Sequence, residues 1–150
     1  MEIVVREITT EHELYSKCIR LRRELLWHPY HIMTTANFEK EENNSSIYVS
    51  LHTARQVSGC VLLMNEPQNG WYRIRQLVVD IPYQGQGVGT KLLLCAEKQA
   101  KQKGAKRVAL YAHSDCVEFF EKRGYRRLSG WYAHINGMRT ILMVRDLSNE

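Results

Sequence analysis

Hydrophobic residues recur with two different periods along this chain, and each period predicts a different element. Alternation with period two indicates a half-buried strand, and recurrence every three or four residues indicates an amphipathic helix. Alternation predicts strands at 3–8, 47–52, 57–64, 71–79, 107–113, 131–135 and 138–147. The longer period predicts helices at about 14–27, 37–42, 88–100 and 115–124. This order of elements predicts a mixed α/β fold.

Local signals set the predicted boundaries of these elements. Thr10 and Glu13 have the spacing of a capping box before the first helix. Ser114 or Asp115 is expected to cap the last helix, because both side chains accept hydrogen bonds from free backbone N–H groups. Asn136-Gly137 is a strong signal for a two-residue hairpin between the final strands.

A glycine-rich loop separates the strand at 71–79 from the helix that follows it. Gly85, Gly87 and Gly89 alternate with other residues and lead directly into the helical pattern. Glycines tolerate positive φ and let a ligand approach the backbone closely. The first N–H groups of a helix have no intrahelical partner and lie at the positive end of its dipole. This stretch therefore predicts a binding site for a phosphate or diphosphate.

Two common nucleotide-binding motifs do not fit this loop. A dinucleotide fingerprint, G-x-G-x-x-G, that began with Gly85 and Gly87 would need a third glycine at position 90, where Thr90 stands. A P-loop needs Gly-Lys-Ser/Thr, and the order here is Gly89-Thr90-Lys91. A plain structural turn would need one glycine rather than three.

Bulk composition narrows the class of protein further. The chain has 150 residues, which suits one domain spanning 1–150. Its net charge of +5 favours anionic ligands, but no known nucleic-acid-binding motif is present, so a nucleic-acid-binding domain is the weaker alternative. The four cysteines form no C-x-x-C pair, and we expect buried thiols and no metal site. The absence of a signal-peptide pattern and of a membrane-spanning apolar run predicts a cytoplasmic protein.

Three stretches resemble the GNAT superfamily of N-acetyltransferases, in the family's order and spacing. The first is Arg75 to Thr90, with its Val-Val-Asp-Ile-Pro strand end and glycine loop. The second is 117–125, which is similar to the family's Phe-Tyr-Glu-Lys-x-Gly-Phe/Tyr helix end. The third is the last strand, 141–147. The resemblance implies a central, mostly antiparallel mixed sheet flanked by helices, with the strands at 71–79 and 107–113 splayed apart.

The resemblance also implies a cofactor site and a reaction. Acetyl-CoA would bind as co-substrate, with its pantetheine arm paired like an extra strand beside 77–79. The acetyl group would pass directly to an amine in a ternary complex. The cofactor-binding residues carried over from the family pattern are Leu77, Val78, Val79, Gln84, Gly85, Gln86, Gly87, Val88, Gly89, Thr90, Phe119 and Phe120.

The catalytic residues are less well defined by the family pattern. Many members carry a tyrosine that protonates the leaving thiolate, and Phe120 stands at the matching position. Tyr125 is our predicted substitute, with Tyr111 or water as alternatives. The usual glutamate of the preceding strand is also missing, and the best candidate base is His113, ahead of the other histidines at 28, 31 and 134.

Several functional questions stay open at this level. Because phenylalanine stands at the usual tyrosine position, a second hypothesis stays open: the protein is a non-catalytic acyl-CoA-binding or regulatory module. The acceptor amine is not identified, although Glu39, Glu41 and Glu42 would attract a cationic one if they lined the acceptor groove. The family resemblance also makes a homodimer a reasonable expectation.

Overall fold

The computed structural model describes residues 3–29, 32, 34, 38–65, 67, 71–133 and 139–147, with the backbone alone at 129 and 131–133. Its strands are β1 (Val4–Ile8), β2 (Ser45–Thr53), β3 (Gln56–Met64), β4 (Tyr72–Val79), β5 (Arg107–His113), β6 (Arg126–Ala133) and β7 (Arg139–Asp146). Its α-helices are α1 (Tyr15–Arg22), α2 (Phe38–Glu41), α3 (Val88–Gln102) and α4 (Val117–Glu121). Helix α1 continues as a π-helical turn over Arg23–Trp27, and 3₁₀ turns lie at Glu42–Asn44, Ile81–Tyr83 and Ser114–Cys116.

The described strands form one seven-stranded sheet in the order β1-β2-β3-β4-β5-β7-β6. Each neighbouring pair is antiparallel except β4 and β5, which are parallel. The predicted mixed α/β fold with a mostly antiparallel sheet is therefore confirmed.

The parallel pair at the centre of the sheet separates after a short contact. Strands β4 and β5 pair only at Tyr72 with Val108 and at Arg73 with Ala109. Beyond this point the pairing of β4 with β3 shifts register by one residue, and Gln76 has a left-handed φ of 59°. A residue inserted on one side of a strand pair is a β-bulge, which bends the strand away from its neighbour. The predicted splaying of the two central strands is thus confirmed.

The two faces of the sheet carry separate hydrophobic cores. Helix α1 packs on one face, where Cys18, Cys60 and Val78 belong to one buried cluster. Helices α3 and α4 pack on the other face, where Leu92 and Phe120 belong to a second cluster. Each face of β4 is therefore covered by a different layer, and the gap between β4 and β5 lies between them.

Two predicted helix caps are wrong. Helix α1 begins at Tyr15 without a side-chain cap, because the Thr10 hydroxyl donates to Asn43 Oδ1 instead. The N–H of Leu14 donates to His12 Nδ1 at 3.0 Å. Neither Ser114 nor Asp115 caps α4, since both belong to a 3₁₀ turn and the helix begins two residues later than predicted. At α1 a tertiary contact of Thr10 thus replaces the predicted cap, and at α4 the local 3₁₀ turn does so.

Some predicted features lie partly or wholly outside the described residues. The Asn136-Gly137 turn is outside them, although β6 and β7 do pair as the two strands that it would connect. Strand β6 begins at Arg126, five residues earlier than predicted. His31 and His134 are also outside the described residues. The four thiols are free, and Cys95 and Cys116 are only partly buried.

Candidate active site

The separation of β4 from β5 leaves a cavity of about 550 Å³. Both strands line it, together with the segment after α1 and the turn before α4. Leu77, His113 and Phe120 are among its lining residues. Three residues predicted to serve the site from separate parts of the sequence are therefore brought together by the fold.

The glycine loop connects the end of β4 to the start of α3. Gly85 and Gly87 have φ values of 76° and 87°, and Gly87 is the N-cap of α3 without any side-chain hydrogen bond to the helix. A Cβ atom added at either glycine would meet nothing within 4 Å. The space in front of the loop is therefore open. The free N–H groups in the first turn of α3 point into it from the positive end of the helix dipole, and such a position stabilises a phosphate.

The polar side chains of the loop hold its backbone in place. Gln84 Nε2 donates to the Val79 carbonyl at 2.8 Å. Gln86 Nε2 donates to the Pro82 carbonyl at 3.0 Å. Because both amide groups bind the backbone beside them, the donors that remain for a ligand are chiefly backbone N–H groups. The predicted loop residues from 84 to 90 thus form one structural unit.

Arg123, two residues after the end of α4, places a basic side chain at the start of α3. Phe119 packs against Gly89, where an added Cβ would lie 3.5 Å from the ring. The guanidinium carbon of Arg123 lies 3.7 Å from the centre of the Phe119 ring, and Arg123 Nε donates to Thr90 Oγ1 at 2.8 Å. A fixed positive charge therefore lies beside the first turn of α3. Arg123 is not among the predicted site residues, and only its place in the stretch 117–125, similar to the family's helix end, could have indicated it.

The two predicted catalytic residues occupy different environments. His113 ends β5 and lines the cavity, where it pairs in register with Thr140 of β7. Tyr125 is not among the described lining residues; it is buried, and its hydroxyl donates to Glu97 Oε2 at 2.7 Å. Burial and the negative charge of Glu97 raise the pKa of Tyr125 well above its ordinary value. The geometry therefore favours a structural role for Tyr125, whereas His113 lines the cavity between the two central strands.

A buried polar cluster holds the bulge of β4 from the α1 side. Gln76 Oε1 accepts hydrogen bonds from Trp27 Nε1 at 3.1 Å and from Arg22 Nε at 3.3 Å. Arg22 is 1% exposed and pairs with both carboxylate oxygens of Glu42. Burial opposes the charged form, but the hydrogen bond with Glu42 raises the pKa of Arg22. The conformation of a cavity-lining residue thus depends on a charge pair in the neighbouring core.

Two further arginines lie at the cavity. Arg73 and Arg75 both line it, and the guanidinium carbon of Arg73 lies 4.7 Å from the centre of the Tyr111 ring. Burial, followed by the nearby charge of Arg75, lowers the pKa of Arg73. Glu42, which we expected to attract a cationic acceptor, instead binds Arg22 and accepts a hydrogen bond from Tyr15 at 2.6 Å.

The described residues contain no group of three or more His, Cys, Asp or Glu side chains placed to hold a metal ion. Within the same part of the chain, no helix is both long and apolar enough to cross a membrane.

The parallel strands that separate at the sheet centre and the glycine loop at a helix start define an acyltransferase-type architecture. The chain belongs to the GNAT acetyltransferase family, because the model of the Acetyltransferase (GNAT) family matches residues 9–125. The resemblance found in the sequence is therefore confirmed.

Known relatives agree with this assignment. Over 88 residues the chain is 30% identical to the Xenopus tropicalis protein named "Probable N-acetyltransferase 14", a match that covers 57% of this chain and 43% of that protein. The match thus spans less than half of the relative's length.

Solved structures match the fold over nearly the whole chain. An aminoglycoside 6'-N-acetyltransferase complexed with coenzyme A superposes with a TM-score of 0.78 at 16% identity, covering 95% of this chain and 96% of that one. A GNAT family acetyltransferase from Elizabethkingia anophelis with acetyl-CoA bound has a TM-score of 0.72 at 17% identity, covering 97% and 98%. At these identities the likeness concerns the fold alone.

Proposed function

We propose that this protein is an acetyl-CoA-dependent N-acetyltransferase that moves the acetyl group directly to an amine in a ternary complex. The observation that carries the proposal is the gap between β4 and β5. The gap contains the cavity, and the glycine loop follows the end of β4 beside it. Membership of the GNAT family supports it, as do similar folds solved with coenzyme A or acetyl-CoA.

Each part of the cofactor would have a matching part of the chain. The diphosphate would bind the backbone N–H groups between Gln84 and Thr90, with Phe119 and Arg123 beside it. The pantetheine arm would pair with Leu77, Val78 and Val79, because an extended amide chain satisfies its polar groups by strand-like pairing. Phe120 is 8% exposed and lines the cavity, so it would pack against the end of the arm that carries the thioester.

The reaction would break one C–S bond and form one C–N bond. A neutral amine attacks the thioester carbonyl, and the negative charge that develops on its oxygen requires a fixed donor. A backbone N–H near Val78 or Val79, directly after the bulge, is our candidate donor. Alignment of the two substrates in the cavity would contribute most of the rate, because it replaces a bimolecular encounter.

Three proton transfers complete the reaction, because the attacking nitrogen must also release a second proton, to water, when the amide forms. His113 would take the proton that the ammonium group releases, directly or through one water molecule. The departing thiolate would collect a proton from water or from Tyr111, which lines the cavity. A thiol with a pKa of about 8.5 is a tolerable leaving group, so Phe120 at the usual tyrosine position is compatible with turnover.

The alternative is a module that binds acyl-CoA without catalysis, and the phenyl ring at position 120 is the observation that favours it. Release of coenzyme A thiol with an amine panel separates the two functions. Tight acetyl-CoA binding without release for any amine would establish the alternative. A cytoplasmic location and a homodimer stay predictions.

The glycine loop offers the sharpest test of the cofactor site. We expect Gly87→Val to weaken acetyl-CoA binding by more than about 100-fold, because valine strains a φ of 87° and fills the open space before the loop. Isothermal titration with acetyl-CoA measures the loss.

Gly104→Val is the matched control, at the opposite end of α3. Gly104 has a φ of 90°, and an added Cβ would also meet nothing within 4 Å. Both variants should lose a similar free energy of unfolding, and only Gly87→Val should lose binding. Normal binding by Gly87→Val would show that the diphosphate lies elsewhere.

A further inference from the structure

The cavity that would receive the acceptor is lined by two arginines, Arg73 and Arg75. None of the described lining residues is an aspartate or a glutamate. Neither arginine forms an ion pair with any described residue. This charge pattern is unusual for a site that would bind a cationic amine, because like charges repel most strongly where water is excluded.

Arg73 is the most informative of these residues. Its Nε atom is buried without a hydrogen-bond partner among the described residues, and its guanidinium lies across the gap on the ring of Tyr111. A partly buried charge without a counterion is costly. The Tyr111 ring fixes the position of the guanidinium but offers no oxygen that would neutralise it.

Nearby carboxylates do not supply the missing counterion. Glu42 comes from the segment expected to line the acceptor groove, yet it is held by Arg22 and Tyr15 on the far side of β4. Glu97, the buried carboxylate among the described residues, binds Tyr125 and Arg145 beneath α3. No carboxylate of the described residues therefore neutralises Arg73, and an anionic group of a bound molecule would supply that charge.

We propose that the acceptor is a small amine that also carries a carboxylate, as in an amino acid, and that Arg73 and Arg75 bind this carboxylate. A guanidinium pairs with a carboxylate through two parallel hydrogen bonds, which fixes both position and direction. The carboxylate would hold the molecule while its amine faces His113 and the thioester. Polyamines and aminoglycosides, which are cationic throughout, would be poor acceptors. This inference rests on the proposed acetyltransferase function.

Matched acceptor pairs test the inference. Leucine, lysine and glutamate are each compared with the corresponding C-terminal amide by release of coenzyme A thiol. Amidation removes the carboxylate and leaves the amine and side chain in place. We expect kcat/KM to be about 10- to 100-fold higher for the free acids, mainly through KM, as one lost charge-assisted hydrogen bond predicts. Phosphoethanolamine and spermidine complete the panel.

Substitution of the arginine assigns the effect to the cavity. Arg73→Met should remove most of the preference for the free acid and leave the KM of acetyl-CoA within about twofold. Arg6→Met is the control, because Arg6 is an exposed residue of β1, an edge strand separated from β4 by two strands. It should behave as the native protein does.

The possible failures are distinguishable. Equal or better rates with the amides or with spermidine would overturn the carboxylate inference and leave the acetyltransferase function intact. A preference for phosphoethanolamine would also overturn the carboxylate inference. The same holds if Arg73→Met changes only the KM of acetyl-CoA and leaves the preference for free acids intact. If no amine is acetylated, binding of the free acids to protein loaded with coenzyme A is measured by titration, and the absence of binding overturns the inference. Failure to bind acetyl-CoA at all would instead remove the proposed function.

Discussion

An arginine, a glutamate and a tyrosine form a buried cluster on each face of the sheet. The α1-face cluster is Arg22, Glu42 and Tyr15, and the α3-face cluster is Arg145, Glu97 and Tyr125. In each, the tyrosine hydroxyl donates to the carboxylate, at 2.6 Å from Tyr15 and 2.7 Å from Tyr125, and the arginine pairs with the same carboxylate. The chemistry is the same, but the connections to the cavity differ.

Arg22 of the α1-face cluster donates to Gln76, which lines the cavity and forms the bulge of β4. The α3-face cluster joins α3 to β7 and to Tyr125, and it meets the cavity lining through the Tyr125 ring, which packs edge-on against Phe120 with 5.6 Å between the ring centres. We infer that a buried ionic cluster affects catalysis only where it holds a strand that presents the reacting groups. The following predictions test this difference.

The largest expected effect is that of Arg22→Met. It leaves Glu42 beside the core without its partner, and breaking a buried ion pair from one side costs about 3–5 kcal/mol of unfolding free energy. Turnover should also fall, since Gln76 loses one of its donors. Urea unfolding and thiol release measure the two effects.

Two further variants make this prediction specific. Arg20→Met removes an arginine of the same helix whose side chain is 78% exposed in its pair with Glu24, and it should cost less than about 1 kcal/mol. If Arg22→Met does not fold, Arg22→Met with Glu42→Leu removes both charges and should recover much of the stability. A loss below about 1 kcal/mol for Arg22→Met alone would contradict the role given to the pair.

The connection through Gln76 can be tested without disturbing the ion pair. Gln76→Leu removes the oxygen that accepts from Arg22 and Trp27, and the bulge loses its support. We expect kcat to fall about tenfold while the KM of acetyl-CoA stays within about twofold, because small displacements of reacting groups are costly. Gln76→Glu retains an accepting oxygen and should keep more of the activity. Equal losses in both variants would show that Gln76 does not position the strand.

These connections explain which parts of the site could be predicted from the sequence. The loop from Gln84 to Thr90 was predictable because its conformation is local: glycines at fixed spacing allow the left-handed turns, and the following helix supplies the N–H groups. The open strand pair was predictable only through the family resemblance.

The side chains around the cavity were harder to predict because their partners are distant in sequence. Arg22 lies 54 residues from Gln76, and no periodicity links the two. One signal was present: Arg22 follows Cys18 by four residues, so it lies on the apolar stripe of α1, where a charged residue requires a buried partner. The Thr10 cap was wrong for the same reason, since a contact 33 residues away determined its side chain.

The tyrosines offer a matched pair of substitutions with smaller effects. Tyr125→Phe and Tyr15→Phe each remove one hydroxyl that donates to a buried carboxylate, and each should lose about 1–2 kcal/mol of unfolding free energy. Turnover per folded molecule should fall in Tyr15→Phe and stay within about twofold in Tyr125→Phe. A tenfold loss of turnover in Tyr125→Phe would favour its predicted role as the proton donor.

The smallest effect concerns alkaline pH. Burial raises the pKa of Tyr125, Tyr15 and Tyr48, the last to about 12. In the unfolded chain the tyrosine hydroxyls ionise near pH 10, whereas in the folded chain these three hydroxyls stay protonated at that pH. Their contribution to stability is therefore complete below pH 10 and is lost as the pH rises through 10 toward the folded pKa values.

Each such tyrosine adds at most about 1.4 kcal/mol of lost stability per pH unit above 10. Urea unfolding between pH 8 and 11, followed with tyrosinate absorbance, measures the slope. Lysines also titrate in this range, so the comparison is between variants: Tyr125→Phe and Tyr15→Phe should flatten the slope by similar amounts, because both clusters bury a tyrosine beside a carboxylate. If only one variant flattened it, the two clusters would differ in their electrostatics as well as in their connection to the cavity, and the difference in turnover could no longer be assigned to Gln76 alone.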